Sequence, residues 1–197
     1  MALFKSWWQA FRSPQTPVFR DALQHQSNIH TWVGVAVGAL LGLGLSWLVS
    51  LLSGQPPQAF MGIASIWVAA GTRPPFSSWA VITPLGVVLG FLNFEIVLFI
   101  FARLLGGKGS FGAQAYVQSL FYAPLAVVQQ VLAVTPIVGH LFFILLALYS
   151  LVPTTTSLKA AHGYSTWRAV ITWLMPILLN VVVVFVIVML TISNAAR

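Results

Sequence analysis

The chain contains no cysteine and only two acidic residues, Asp21 and Glu95, among 197. The first absence removes disulfides, thiolate metal sites and cysteine nucleophiles together. The second leaves no pair of neighbouring carboxylates for acid–base catalysis. Charge is also missing in long blocks: residues 22–72 and 111–158 hold no Asp, Glu, Lys or Arg. Water-exposed surface is where charged residues normally go, so such blocks expect lipid. What fills them is apolar, with 59% hydrophobic residues and a mean hydropathy of +0.94.

The net charge of +7 comes from nine basic residues placed between the apolar segments. That placement orients a chain in a membrane and makes no nucleic-acid patch. The four histidines at 25, 30, 140 and 162 lack metal-ligand spacing. Neither a metal nor another cofactor is expected. Gly106-Gly107-Lys108-Gly109-Ser110 brings a phosphate loop to mind, but Gly109 separates Lys108 from Ser110 and no strand precedes it. It reads as a flexible hairpin. The cluster Thr154-Thr155-Thr156-Ser157 reads as turn formers and caps.

About 20 apolar residues cross a bilayer core, and five such segments are present: 31–52, 79–101, 111–134, 137–152 and 169–192. Trp32 and Trp47 would anchor the first at the interfaces. Gly34, Gly38 and Gly42 form a small-residue ridge, suited to a neighbouring helix of the same chain or to a homo-oligomer contact. The fourth segment is short, about 16 residues, and is expected to sit upright or to start slightly inside the interface. Five spans with an inner N-terminus put Lys5, Arg12, Arg20, Arg103, Lys108, Lys159 and Arg168 inside, and only Arg73 and Arg197 outside. The positive-inside rule favours that orientation, with the C-terminus outside.

Residues 1–28 form a cytoplasmic N-terminal segment ahead of a transmembrane domain, 29–197. Phe4, Trp7, Trp8 and Phe11 share one helical face with Lys5 and Arg12 beside it, the pattern of a helix lying in the lipid interface. A second short helix is expected over 17–26. Residues 58–70 are apolar but too short to cross, so they lie at the interface or re-enter. The fold class is therefore all-α: a polytopic bundle of five transmembrane helices with an N-terminal amphipathic helix.

Glu95 falls inside a span, where an ionisable group is a functional-site candidate by default. Asn93 lies nearly opposite it on the helix, and Arg103 is about 12 Å along the axis. Gln114, Gln118 and Tyr122 of the third span are better partners. Three roles are open to Glu95: a protonated cross-link between helices, a proton- or ion-linked site, or partner recognition.

The order of these features resembles a known family. Gly106-Gly107-Lys108-Gly109-Ser110-Phe111 opens the third span and Tyr122-Ala123-Pro124 lies within it. A Pro136-x-x-Gly139 turn follows, then a linker Ala161-His162-Gly163-Tyr164-Ser165-Thr166 before the last span. The chain resembles the Yip domain family, five-span membrane proteins that interact with Ypt/Rab GTPases, in a compact prokaryotic form. The resemblance implies a cytoplasmic N-terminus and, if prokaryotic, the plasma (inner) membrane. The chain departs from eukaryotic relatives in lacking their long N-terminal region and an Asp-Leu-Tyr-Gly-Pro motif. The function expected is non-enzymatic: organising membrane or recruiting protein partners, in contact with lipids. A small transporter or channel centred on Glu95, with helices broken at Pro84, Pro124 and Pro176, is the alternative.

Overall fold

A computed structural model describes residues 2–53, 76–132 and 138–195. Residues 58–70 and the Thr135-Pro136 turn lie outside the described residues. Seven helices are present among those described: α1 (Ala2–Arg12), α2 (Thr16–Gln24), α3 (Asn28–Ser53), α4 (Phe76–Leu104), α5 (Phe111–Leu132), α6 (Val138–His162) and α7 (Thr166–Ala195). Stretches of three, Asn28–Val49, Thr83–Leu104 and Leu141–His162, are long and apolar enough to cross a membrane; Thr166–Leu179 is a shorter apolar stretch. Their outer faces are apolar and uncovered, as with Leu41, Leu45 and Leu48 on α3 and Leu141, Leu145 and Leu148 on α6. Contiguous exposed apolar surface on this scale marks contact with lipid.

Helix α5 is the hub. It packs on α1, α2, α3, α4 and α6, while α7 lies against α4 and α6. Protein on most sides explains why α5 can carry Gln114, Gln118 and Gln130, all buried, away from any lipid. Val35, Phe91 and Ala115 join α3, α4 and α5 in one cluster, with Trp32 edge-on to Phe91 at 5.9 Å. Trp32 thus serves packing between helices.

The glycine ridge is filled from within. A Cβ on Gly38 would lie 2.8 Å from the Ala123 carbonyl oxygen, and one on Gly42 would meet the Gln130 amide. Gly34 is buried as well. The close approach that glycine permits is used by α5 of the same chain at Gly38 and Gly42.

Two expectations need correction. The helix of the fourth apolar segment does not end at 152: α6 runs to His162 through Pro153 and the threonines. The hydroxyls of Thr154 and Thr155 donate to the carbonyls of Ser150 and Leu151 at 2.7 Å, four residues back. Such back-bonding satisfies carbonyls around a proline inside an embedded helix. The helices around Pro84, Pro124 and Pro176 likewise continue without interruption, so the broken-helix pattern expected of a transporter is absent there.

The second correction concerns α1. The helix forms, but its aromatic residues divide. Trp7 is buried in a cluster with Phe19, Val117, Leu120 and Phe121, and Phe11 packs on Tyr149 at 5.6 Å. Phe4, Lys5, Trp8 and Arg12 remain exposed. The Tyr149 hydroxyl donates to the Phe11 carbonyl, and the Thr156 hydroxyl lies 2.9 Å from the Pro14 carbonyl. Those bonds hold the start of the chain to α6. Helix α2 begins one residue before its proline, close to the expected start.

Candidate functional site

Glu95 sits on α4 with no exposed surface. The Gln114 amide donates to it twice: Nε2 reaches Oε2 at 2.7 Å and the main-chain oxygen at 3.1 Å. Gln114 Oε1 faces His162 Nε2 at 2.8 Å, and the Gly109 N–H donates to His162 Nδ1 at 3.2 Å. A ring nitrogen that accepts carries no proton, so Nδ1 is bare and Nε2–H donates to Gln114. The imidazole is therefore neutral in this arrangement. A polar chain runs from Glu95 through Gln114 and His162 to the backbone of the glycine loop, joining α4, α5, α6 and residues 105–110.

Of the residues expected around Glu95, Gln114 is the one that bonds to it. Gln118 is one turn on and 1% exposed, yet among the described residues neither polar atom has a partner, nor has Glu95 Oε1. Tyr122 packs on Phe91 at 4.8 Å. Asn93 is exposed. Arg103 turns away, donating to the Gly107 carbonyl at 3.2 Å with its guanidinium 5.1 Å above the Phe99 ring. His162 was missed, because the expected end of the fourth span placed it in a linker.

The glycine loop is built, not slack. Gly106 at φ +81° ends α4; Gly106 N–H donates to Arg103 O at 3.0 Å and Gly107 N–H to Ala102 O at 2.8 Å. This is the doubled bond pattern by which a left-handed residue closes a helix. Ser110 then caps α5, its Oγ accepting the Ala113 N–H at 3.1 Å. A Cβ on Gly107 would lie 2.7 Å from His162 Nδ1, and one on Gly109 would strike the Ala161 carbonyl. Glycine is required because the loop touches the end of α6 backbone to backbone.

Beyond His162 the chain turns through Gly163, at φ +68°. The Tyr164 ring stacks on His162 at 5.4 Å, and its hydroxyl is 2.9 Å from Thr172 Oγ1. Thr172 gives its own proton to the Arg168 carbonyl, so Tyr164 is the donor. Burial pushes the Tyr164 phenol above its ordinary pKa, which keeps it a donor at neutral pH. Trp173 Nε1 donates to Thr155 Oγ1 at 2.9 Å and fastens α7 to α6.

Between the glycine loop and the α6–α7 corner lies an open cleft of about 680 Å³. Lys108 and Arg168 line it, with His162 in its wall. Among the described residues no group of three or more His, Asp or Glu side chains could hold a metal ion.

Replacing Glu95 separates its possible roles. Glu95→Gln keeps an oxygen for the Gln114 amide and should melt as the wild type does. Glu95→Leu leaves that amide only the main-chain oxygen of residue 95; hydrogen bonds between embedded helices are worth about 0.6–2 kcal/mol, so a modestly lower melting temperature in detergent is expected. Unchanged melting of Glu95→Leu would remove the cross-link from the account.

These helices and their buried polar chain define a multi-pass integral membrane protein, embedded in lipid. A family model, the Yip1 domain, matches residues 8–188, nearly the whole chain. The chain belongs to the Yip1 domain family. No curated protein and no solved structure matches it.

Proposed function

We propose that this Yip1-domain protein is non-enzymatic and organises membrane or recruits protein partners through one basic end of its bundle. The observation that carries the reading is the clustering of charge. Arg103, Lys108, Lys159 and Arg168 gather around the glycine loop and the α6–α7 corner, while only Asp21 and Glu95 in the whole chain are acidic. Glu95 is buried on Gln114, so the corner keeps its positive charge for an outside partner. The polar chain holds this corner in shape: Glu95 anchors Gln114, Gln114 orients His162, and His162 holds the loop.

In the proposed topology the corner faces the cytoplasm along with α1 and α2, five spans are crossed, and the C-terminus is outside. Single cysteines suit the cysteine-free chain. Those at Ser110 and Ser165 should label from the inside, and those at Ser77 and Ser193 from the outside; labelling of Ser77 and Ser110 from the same side would break the topology. For function, a photo-cross-linker at Ser165 in native membranes should capture a reproducible partner. The charge-removing pair Arg103→Gln and Lys159→Gln should lose it. Capture unaffected by charge removal would overturn recruitment through this corner.

One observation favours a second reading, a small transporter or channel. Among the described residues Glu95 Oε1 and both Gln118 polar atoms are buried without partners, and ionisable residues within spans mark ion pathways in other membrane proteins. Proton or cation flux in proteoliposomes, abolished by Glu95→Gln, would support it. Wild-type vesicles as tight as empty ones would dismiss it.

A further inference from the structure

The long apolar stretches of α4 and α6 both end at this cleft, at Leu104 and His162. Its walls are Gly106, Lys108, Gly109, Ser165, Trp167 and Arg168, among others. Two cations line it and no carboxylate does. The Arg168 guanidinium lies 5.5 Å from the Trp167 ring centre, which limits the directions it can point. Helix α7 begins at Thr166 beside the cleft, and its first-turn amides have no acceptor within the helix. A concave site with uncompensated positive charge at the level where helices leave hydrocarbon is built for an anion of membrane depth.

We propose that the cleft binds a phosphate group, and that its source is the headgroup of an anionic phospholipid. The shared chemistry is a phosphate ester held between Lys108 and Arg168. A lipid source follows from the flanks: Leu104 is 75% exposed and Trp167 58% exposed, so apolar surface stands beside the anion site where acyl chains would run. The site rests on the reading above only in placing this corner at the membrane surface. It does not require a protein partner.

The test uses the full chain in vesicles of phosphatidylcholine with a minor share of phosphatidylglycerol, followed by gentle detergent extraction and native mass spectrometry of retained lipid. Lys108→Gln and Arg168→Gln should each cut phosphatidylglycerol retention about tenfold, the scale of one charge-assisted contact. The double variant should retain it no better than phosphatidylcholine. Lys108→Arg should keep most of the retention. Arg20→Gln, an exposed cation on α2, should match wild type, and all variants should melt alike. A loss in Arg20→Gln equal to that of the cleft variants would overturn the site in favour of diffuse charge. Titration with glycerol phosphate decides the source. No displacement of the lipid supports the headgroup, while displacement together with binding to delipidated protein keeps the phosphate site and overturns the lipid. Loss of the cross-linked partner leaves lipid retention untouched, so the two proposals fail separately.

Discussion

Gly38→Leu is expected to be the most damaging single change in the transmembrane region. A side chain there would meet Ala123 at its oxygen, Cβ and carbonyl carbon, 2.8 to 3.1 Å from the first added atom. Two of those atoms are backbone, so relief requires α3 and α5 to separate along their whole contact. Overpacking of a closed core costs about 1–3 kcal/mol, and the upper end applies when backbone must move. On the scale of soluble proteins of this length, about 3 kcal/mol lowers Tm by roughly 6–12 °C. Gly44 is the matched control, since a Cβ there has nothing within 4 Å; Gly44→Leu should melt near wild type. Thermal unfolding in detergent, read by tryptophan fluorescence, compares the two. Equal melting of the two variants would mean that α3 and α5 are not in close contact.

The second large effect belongs to His162→Ala. It removes the acceptor of the Gly109 N–H and the donor to Gln114 Oε1 together. A buried polar group left unsatisfied costs about 1–3 kcal/mol; with water reaching the cleft side, a total near 3 kcal/mol is expected. The two ring positions can be restored one at a time. Asparagine places an acceptor near Nδ1 and should recover the loop, whereas glutamine places a donor near Nε2 and should recover the Gln114 contact. Hydrogen exchange at the glycine loop separates them: faster exchange in His162→Ala and His162→Gln, near-normal exchange in His162→Asn. If all three variants exchange alike, the histidine does not hold the loop.

Much of the polar chain was legible in the residues. A carboxylate inside an apolar segment must find a donor, and the nearest glutamine across the hairpin supplied it. His162 was hidden by a single misreading with two consequences. Proline followed by three threonines is a turn signal in water, where those hydroxyls compete with the helix. In an apolar setting the same hydroxyls bond back to their own helix, as Thr154 and Thr155 do. Ending the helix at 152 both shortened α6 and removed His162 from view. The glycine loop was recognised as a hairpin, but tight contact with Ala161 and His162 depends on three-dimensional approach that no spacing reveals.

The N-terminal aromatics show a different limit. Periodicity identifies a face and says nothing of what covers it. Phe4, Trp7, Trp8 and Phe11 have the spacing of a lipid-lying helix, and half of that face turns to protein: Trp7 into the α5 cluster and Phe11 onto Tyr149. Gln118 and Tyr122 were picked out with Gln114 by their positions on the same helix; among the described residues one has no partner and the other packs on an aromatic ring. Helical register narrows the candidates but does not choose among them.

The bonds from Tyr149 to Phe11 and from Thr156 to Pro14 span 138 and 142 residues of chain. Ribosomes add about 5–20 residues each second, so α1 exists for roughly 7–28 seconds before the residues that tether it have been made. Val117, Leu120 and Phe121, which surround Trp7, come roughly 6–23 seconds after it at the same rate, so for most of that interval Trp7 lacks its cover. Its aromatic face is therefore completed by residues made long after it, those of α5 first and Tyr149 of α6 later. Docking of α1 onto α6 therefore waits until Tyr149 and Thr156 have been made.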